Sequence, residues 1–185
     1  MNSRAVFAAA LFCLASCASR GAKTAPRAYL DNASPFVLLP PDGVEKHMDM
    51  AQRISASWGD KEYFFLAWVK SDDQGLDISF FSDLGAGMGE LSYRSGSVTF
   101  SPSGSFAPEY IVADFQLCFY DAALLSTALS RCALSLETRA ESGGAETRRI
   151  MNGKKIIVEI KKTPSSVKLV NHIRGYAYTL EGDFR

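Results

Sequence analysis

What most constrains this chain is a succession of short strand-patterned segments joined by tight turns and broken once by a helical period. From position 47 to 58 the apolar residues alternate: Met48, Met50, Ile54, Ala56 and Trp58 stand against Asp49, Arg53, Ser55 and Ser57. A period of two marks a strand with one buried face. Gly59-Asp60 turns the chain, and residues 63–69 (YFFLAWV) are apolar on both faces, as in a central strand covered on both sides. After the turn Asp72-Asp73-Gln74-Gly75, Leu76, Ile78 and Phe80 resume the alternation. Leu91-Ser92-Tyr93 and Val98-Thr99-Phe100 flank Ser95-Gly96, a hairpin signal.

The period changes within residues 107–130. Ile111, Phe115, Cys118 and Phe119 recur at i, i+4, i+7 and i+8, which is helical. Pro108 and Glu109 suit a first turn, and Asp121 before Ala122-Ala123-Leu124-Leu125 reads as a second N-cap. Two buried helices with a bend near Tyr120-Asp121 are expected. Asp114, Gln116 and Asp121 exclude a membrane span there.

Strand patterning then returns at Leu134–Leu136, residues 147–151, 154–160, 167–170 and 176–180, with turns at residues 141–144 and at Asn152-Gly153. Asn-Gly between apolar runs is a strong type I′ hairpin signal. The expected fold is mainly β with inserted helices: one curved antiparallel sheet whose helices pack on its concave side.

The first seventeen residues, MNSRAVFAAALFCLASC, are an address. Arg4 gives a positive n-region, and residues 5–15 form an apolar run of signal-peptide length, too short to span a bilayer. Leu14-Ala15-Ser16-Cys17 resembles the bacterial lipobox, which implies cleavage after residue 16 and acylation of Cys17. Ala18 in place of Asp leans towards the outer membrane. Residues 17–28 read as lipidated cysteine plus flexible tether, and residues 29–185 as one domain. Removing residues 1–16 takes Arg4 alone from the 20 basic and 20 acidic residues, leaving a net charge near −1. That balance excludes nucleic acid as the main partner. With 47% apolar and 22% charged residues, disorder is excluded as the dominant state.

Catalytic and metal signatures are absent from the sequence. Gly85-Ala86-Gly87-Met88-Gly89 runs into the alternation of Leu91 and Tyr93 with no following Lys, so it reads as a hairpin tip rather than a phosphate cradle. No GxSxG is present. His172 is the best candidate base, with a strand-end surface histidine as the alternative. Asp72-Asp73 reads as a solvated turn. Beyond Cys17, Cys118 and Cys132 are either a disulfide or two small buried hydrophobes, and without CxxC or clustered His they offer no zinc site. No catalytic residue, metal or cofactor is assigned, and no enzyme activity is expected.

Phe36–Pro41 (FVLLPP), Asp83-Leu84-Gly85 after an apolar strand, residues 108–117 (PEYIVADFQL) and residues 171–178 (NHIRGYAY) together resemble the LolA/LolB superfamily of periplasmic lipoprotein carriers. The likeness is closest to lipoproteins found beside aryl-polyene and fatty-acid-synthase-like gene clusters. It implies an open barrel closed by helices, a hollow that receives acyl chains, and a loop leucine, here Leu84, that helps insert cargo into the membrane. Two departures stand out: Ser82-Asp83 where proline commonly precedes Leu-Gly, and Tyr120-Asp121 where relatives often show Trp-Pro. The surplus of Met and aromatic residues suits an acyl-chain cavity lined by Met48, Met50, Trp58, Phe65, Trp68, Phe80, Phe115 and Phe119. The expected function is an outer-membrane lipoprotein that binds a lipid or acylated molecule and helps its transport or localisation, with a periplasmic carrier as a further partner. The alternative is a structural or interaction lipoprotein of the envelope with a filled core.

Overall fold

The structure, a computed structural model, describes residues 25–94, 96–102 and 107–184. The signal segment 1–16, Cys17 and tether residues 18–24 lie outside the described residues, as does Ser95 of the expected hairpin.

Ten of the twelve described strands form a single antiparallel sheet. Five come before the helices: β3 (Met48–Trp58), β4 (Lys61–Asp72), β5 (Gly75–Ser82), β6 (Gly87–Arg94) and β7 (Ser97–Ser101). Two helices follow, α1 (Glu109–Phe119) and α2 (Ala122–Ser130). Then come β8 (Ser135–Ala140), β9 (Glu146–Asn152), β10 (Lys155–Lys162), β11 (Ser166–Asn171) and β12 (Tyr176–Glu181). The strand order is β7-β6-β5-β4-β3-β12-β11-β10-β9-β8. Each half is a meander, and the halves meet where β12 lies against β3, with Leu180 opposite Ile54 and Tyr178 opposite Ala56. The helical segment therefore joins the two outer edges, β7 and β8. Within this connection α1 lies against the face that the alternating apolar residues bury.

A short ribbon precedes the sheet: β1 (Arg27–Tyr29) pairs with β2 (Pro35–Val37). Arg27 and Ala28, assigned from sequence to the tether, are thus already part of the folded domain. Three-residue strands are too short to show a period, and what holds them is tertiary. Ala28 and Phe36 are each 1% exposed. Asp31 Oδ1 accepts from the Ala33 and Ser34 amides at 2.8 and 2.6 Å, its Oδ2 accepts from Asn152 Nδ2 at 3.0 Å, and Arg174 Nε donates to the Tyr29 carbonyl at 2.9 Å.

The helix breakpoint falls where the sequence places it. Asp121 Oδ1 accepts from the Ala123 and Leu124 amides at 2.9 and 3.0 Å, the expected N-cap. The end of α1 is buried, so its carbonyls need partners. Glu45 N donates to Phe119 O at 2.9 Å, and Arg148 Nη1 donates to Leu117 O at 3.3 Å and Tyr120 O at 2.6 Å. The Arg148 side chain is 1% exposed and is neutralised by Glu45 at 2.6 Å and Glu146 at 2.9 Å. One guanidinium on β9 thus binds the end of α1 to the second meander.

β4 corrects one expectation. Ala67 and Val69 are buried, yet Phe64 is 62% and Trp68 50% exposed. α1 lies against the face that carries Ala67 and Val69, while the aromatics on the other face of β4, Phe64 and Trp68, face solvent.

Candidate functional site

The inner face of the sheet and the underside of α1 enclose an apolar hollow of about 130 Å³. Strand register places Ile54 beside Phe65, and Ala67 beside Phe80, on this face. Helical spacing places Ile111, Phe115 and Phe119 over them, and Tyr178 and Leu180 of β12 close the side. The Phe65 and Phe80 ring centroids lie 6.0 Å apart, and those of Phe115 and Phe119 5.0 Å apart.

Two further hollows adjoin it. One, of about 190 Å³, is lined by Phe65, Phe80, Met88, Phe100 and Ile111, and so shares three residues with the first. Met88 is 53% exposed, which puts this hollow at the protein surface, near the turn that carries Leu84. The other, of about 230 Å³, is lined by Met48, Met50, Phe119 and Phe184, with Glu45, Asp49 and Lys162 among its charged residues. The three hollows form a row through Ile111, Phe115 and Phe119 of the helix.

Six of the eight cavity residues expected from sequence therefore line this row: Phe65, Phe80, Phe115 and Phe119 the central hollow, Met48 and Met50 the hollow beyond Phe119. Trp58 and Trp68 do not. Trp68 lies on the opposite face from Ala67 and Val69, and its Nε1 donates to Asp49 Oδ1 at 2.8 Å. Trp58 has the inward parity but is the last residue of β3, past the cover of α1; it is 66% exposed, with its ring 6.3 Å from that of Tyr176. Leu84 is 90% exposed at the tip of the β5–β6 turn, which closes through Ser82 N to Ala86 O at 2.8 Å and Gly85 N to Ser82 O at 2.9 Å.

Two polar residues in the hollow escaped the sequence reading. Gln52, 3% exposed, sits at an inward position of β3 between Met50 and Ile54, and no acceptor among the described residues takes its Nε2. Asp114, 6% exposed, lies on α1 one turn from Ile111. The Tyr176 hydroxyl meets both of its oxygens, at 3.0 and 2.8 Å. Burial raises the Asp114 carboxyl to about 7, against the opposing pull of that hydrogen bond and of Arg174. Both residues were legible as polar letters interrupting an apolar period, which is the signal for a buried polar group.

The remaining candidates are dispersed. His172 is exposed. His47 pairs with Asp73 at 2.9 Å on the surface. Asp72 accepts from the Gln74 and Gly75 amides, which hold its carboxyl below the usual range. Cys118 and Cys132 are both free; burial beside Asp114 pushes the Cys118 thiol up to about 12, and Cys132 Sγ donates to Leu129 O at 3.2 Å. Among the described residues no three potential metal ligands cluster, and no helix is long and apolar enough to cross a membrane.

No curated protein matches this chain. Its residues 49–182, which run from the first strand of the sheet to the end of the last, match a family described as Protein of unknown function (DUF3261), and the chain belongs to that family.

Proposed function

We propose that this protein is an outer-membrane lipoprotein that captures a lipid or acylated molecule in the hollow beneath α1 and helps its transport or localisation. On this reading the ten-stranded sheet curls about the helices as an open, LolB-like barrel. In support, α1 is tied to one arm of the sheet through Arg148 on β9 while sharing a hollow with Phe80 on β5 of the other. The single observation that carries the proposal is the row of three adjoining hollows whose shared walls are Phe65, Phe80, Ile111 and Phe119. Apolar walls, aromatic rings and Met88 at the rim suit non-covalent capture of a hydrocarbon chain. Such capture involves no turnover.

Cys17 would be the acylated anchor, stable because more than one chain is attached, with the domain in the periplasm. Leu84, beside the rim at Met88, would meet the membrane surface when cargo is exchanged. A periplasmic carrier protein is the expected donor.

The test is uptake. Protein incubated with vesicles of phosphatidylethanolamine and phosphatidylglycerol, then separated from them, should carry acyl lipid in a fixed ratio. Lipid-free protein after that step contradicts the reading.

A second reading has its own support. The central hollow is close in size to an engineered cavity of roughly 150 Å³ that accepts benzene, and Phe64 and Trp68 present aromatic surface outwards. An envelope lipoprotein with an essentially filled core that docks another protein would show both features. Its signature is a specific protein partner with no co-purifying lipid.

A further inference from the structure

The central hollow is lined almost wholly by hydrocarbon, and two of the polar side chains in its wall, Asp114 and Gln52, differ in kind. Asp114 already has its partner, the Tyr176 hydroxyl. Gln52 does not: its Nε2 is buried, the residue is 3% exposed, and no acceptor among the described residues meets it. A buried amide donor without an acceptor is unfavourable, whereas Leu or Met at this position would fill the same space without that penalty. Strand parity fixes the side chain inwards, because Met50, Gln52, Ile54 and Ala56 alternate with outward Ala51, Arg53 and Ser55 on β3.

We propose that Gln52 is a recognition residue, its Nε2 donating to the carbonyl oxygen of an acyl group seated in the hollow. This rests on the capture function proposed above and names its substrate class: acyl carbonyl compounds rather than plain hydrocarbon. The volume agrees with the assignment, since about 130 Å³ holds the carbonyl end and a short length of chain. The rest of the chain would run past Phe65 and Phe80 into the hollow at Met88. An acyl carbonyl reaches the protein in two forms, as an ester or as a free fatty acid. An ester brings no charge towards the Asp114 carboxyl, and an ionised fatty acid brings a like one.

The test compares probes of nearly equal size on the full chain: methyl hexanoate, hexanoic acid and octane, with affinities measured by chemical-shift titration. The wild-type protein should bind methyl hexanoate, relative to octane, about tenfold more tightly than the partition of the two from water into hexadecane predicts, the discrimination expected when a buried donor is satisfied only by the ester. In Gln52→Leu the ester's advantage should vanish while octane binding is retained. At pH 8 hexanoic acid should bind more weakly than its ester; equal binding would assign free fatty acids as a second source of the carbonyl and still support the role of Gln52. A wild-type ratio of methyl hexanoate to octane affinity no better than that partition predicts would overturn the role of Gln52 and leave the capture function standing. No binding of any probe would overturn both. The comparison within the wild-type protein needs no variant, so a Gln52→Leu protein that fails to fold does not decide the matter.

Discussion

The Tyr176 hydroxyl lies 2.8 Å from Oδ2 of Asp114 and 3.0 Å from Oδ1, joining β12 to the middle of α1 through a part-buried contact. Burial of the Asp114 carboxyl here carries a pH dependence, against which the Tyr176 hydrogen bond pulls. The Asp114 carboxyl is raised from 3.8 to about 7, so the folded state holds its proton more tightly than the unfolded chain. The stability that protonation confers is complete below pH 4 and is lost as pH rises to about 7. Asp114→Asn keeps an acceptor for Tyr176 and removes the titration. Its stability relative to wild type should therefore climb between pH 4 and 7, by an amount on the order of 4 kcal/mol. Urea unfolding of both proteins across that range measures this, and a difference that stays flat with pH contradicts the assignment.

Arg148 should be a sensitive position for stability although it is a charged residue. Replacing it with Met leaves the Leu117 and Tyr120 carbonyls without their donor and Glu45 and Glu146 without their buried cation. A loss of about 3 kcal/mol is expected, read as a lowered urea midpoint. An unchanged midpoint would show that the backbone bonds of residues 43–45 hold the end of α1 without Arg148.

These two sites show where the sequence was readable and where it was not. The β3 alternation, the Asn152-Gly153 turn and the Asp121 cap are local signals, and each structural element stands where its signal lies. Phe65, Phe80, Phe115 and Phe119 were legible for the same reason: strand and helix periods point them to one side. Arg148 was not, because on β9 its letter sits between Thr147 and Arg149 like a solvated charge. Only the fold brings it to Glu45 and Tyr120. Trp68 misled in the opposite direction, since an apolar letter on both faces of β4 cannot say which face the helices cover.

Phe115 is 7% exposed and meets Phe119 at 5.0 Å and Tyr120 at 6.4 Å between ring centroids. Phe115→Ala should lower stability by about 3–5 kcal/mol and enlarge the central hollow. Denaturant unfolding checks the first effect, and tighter binding of longer acyl esters checks the second. A near-neutral stability change would mean that the ring faces open space.

Leu84 should behave in the reverse way. At 90% exposure it contributes little to folding, so Leu84→Glu should shift stability by no more than about 0.5 kcal/mol. Under the proposed function it should slow lipid exchange with vesicles by placing a charge where the turn meets the membrane. A large fall in thermal stability would make Leu84 a structural residue instead.

Cys17→Ala separates address from fold. If Cys17 is the acylated anchor, fractionated cells should show the variant released from the membrane, with the domain still folded. Undiminished membrane retention would contradict the lipobox.

The central claim, capture of an acylated molecule beneath α1, is tested most directly by native mass spectrometry of residues 18–185 secreted to the periplasm without the lipid anchor. A mass excess over the chain that fragments to fatty acid or acyl lipid is expected. A clean protein mass that added lipid leaves unchanged would contradict it.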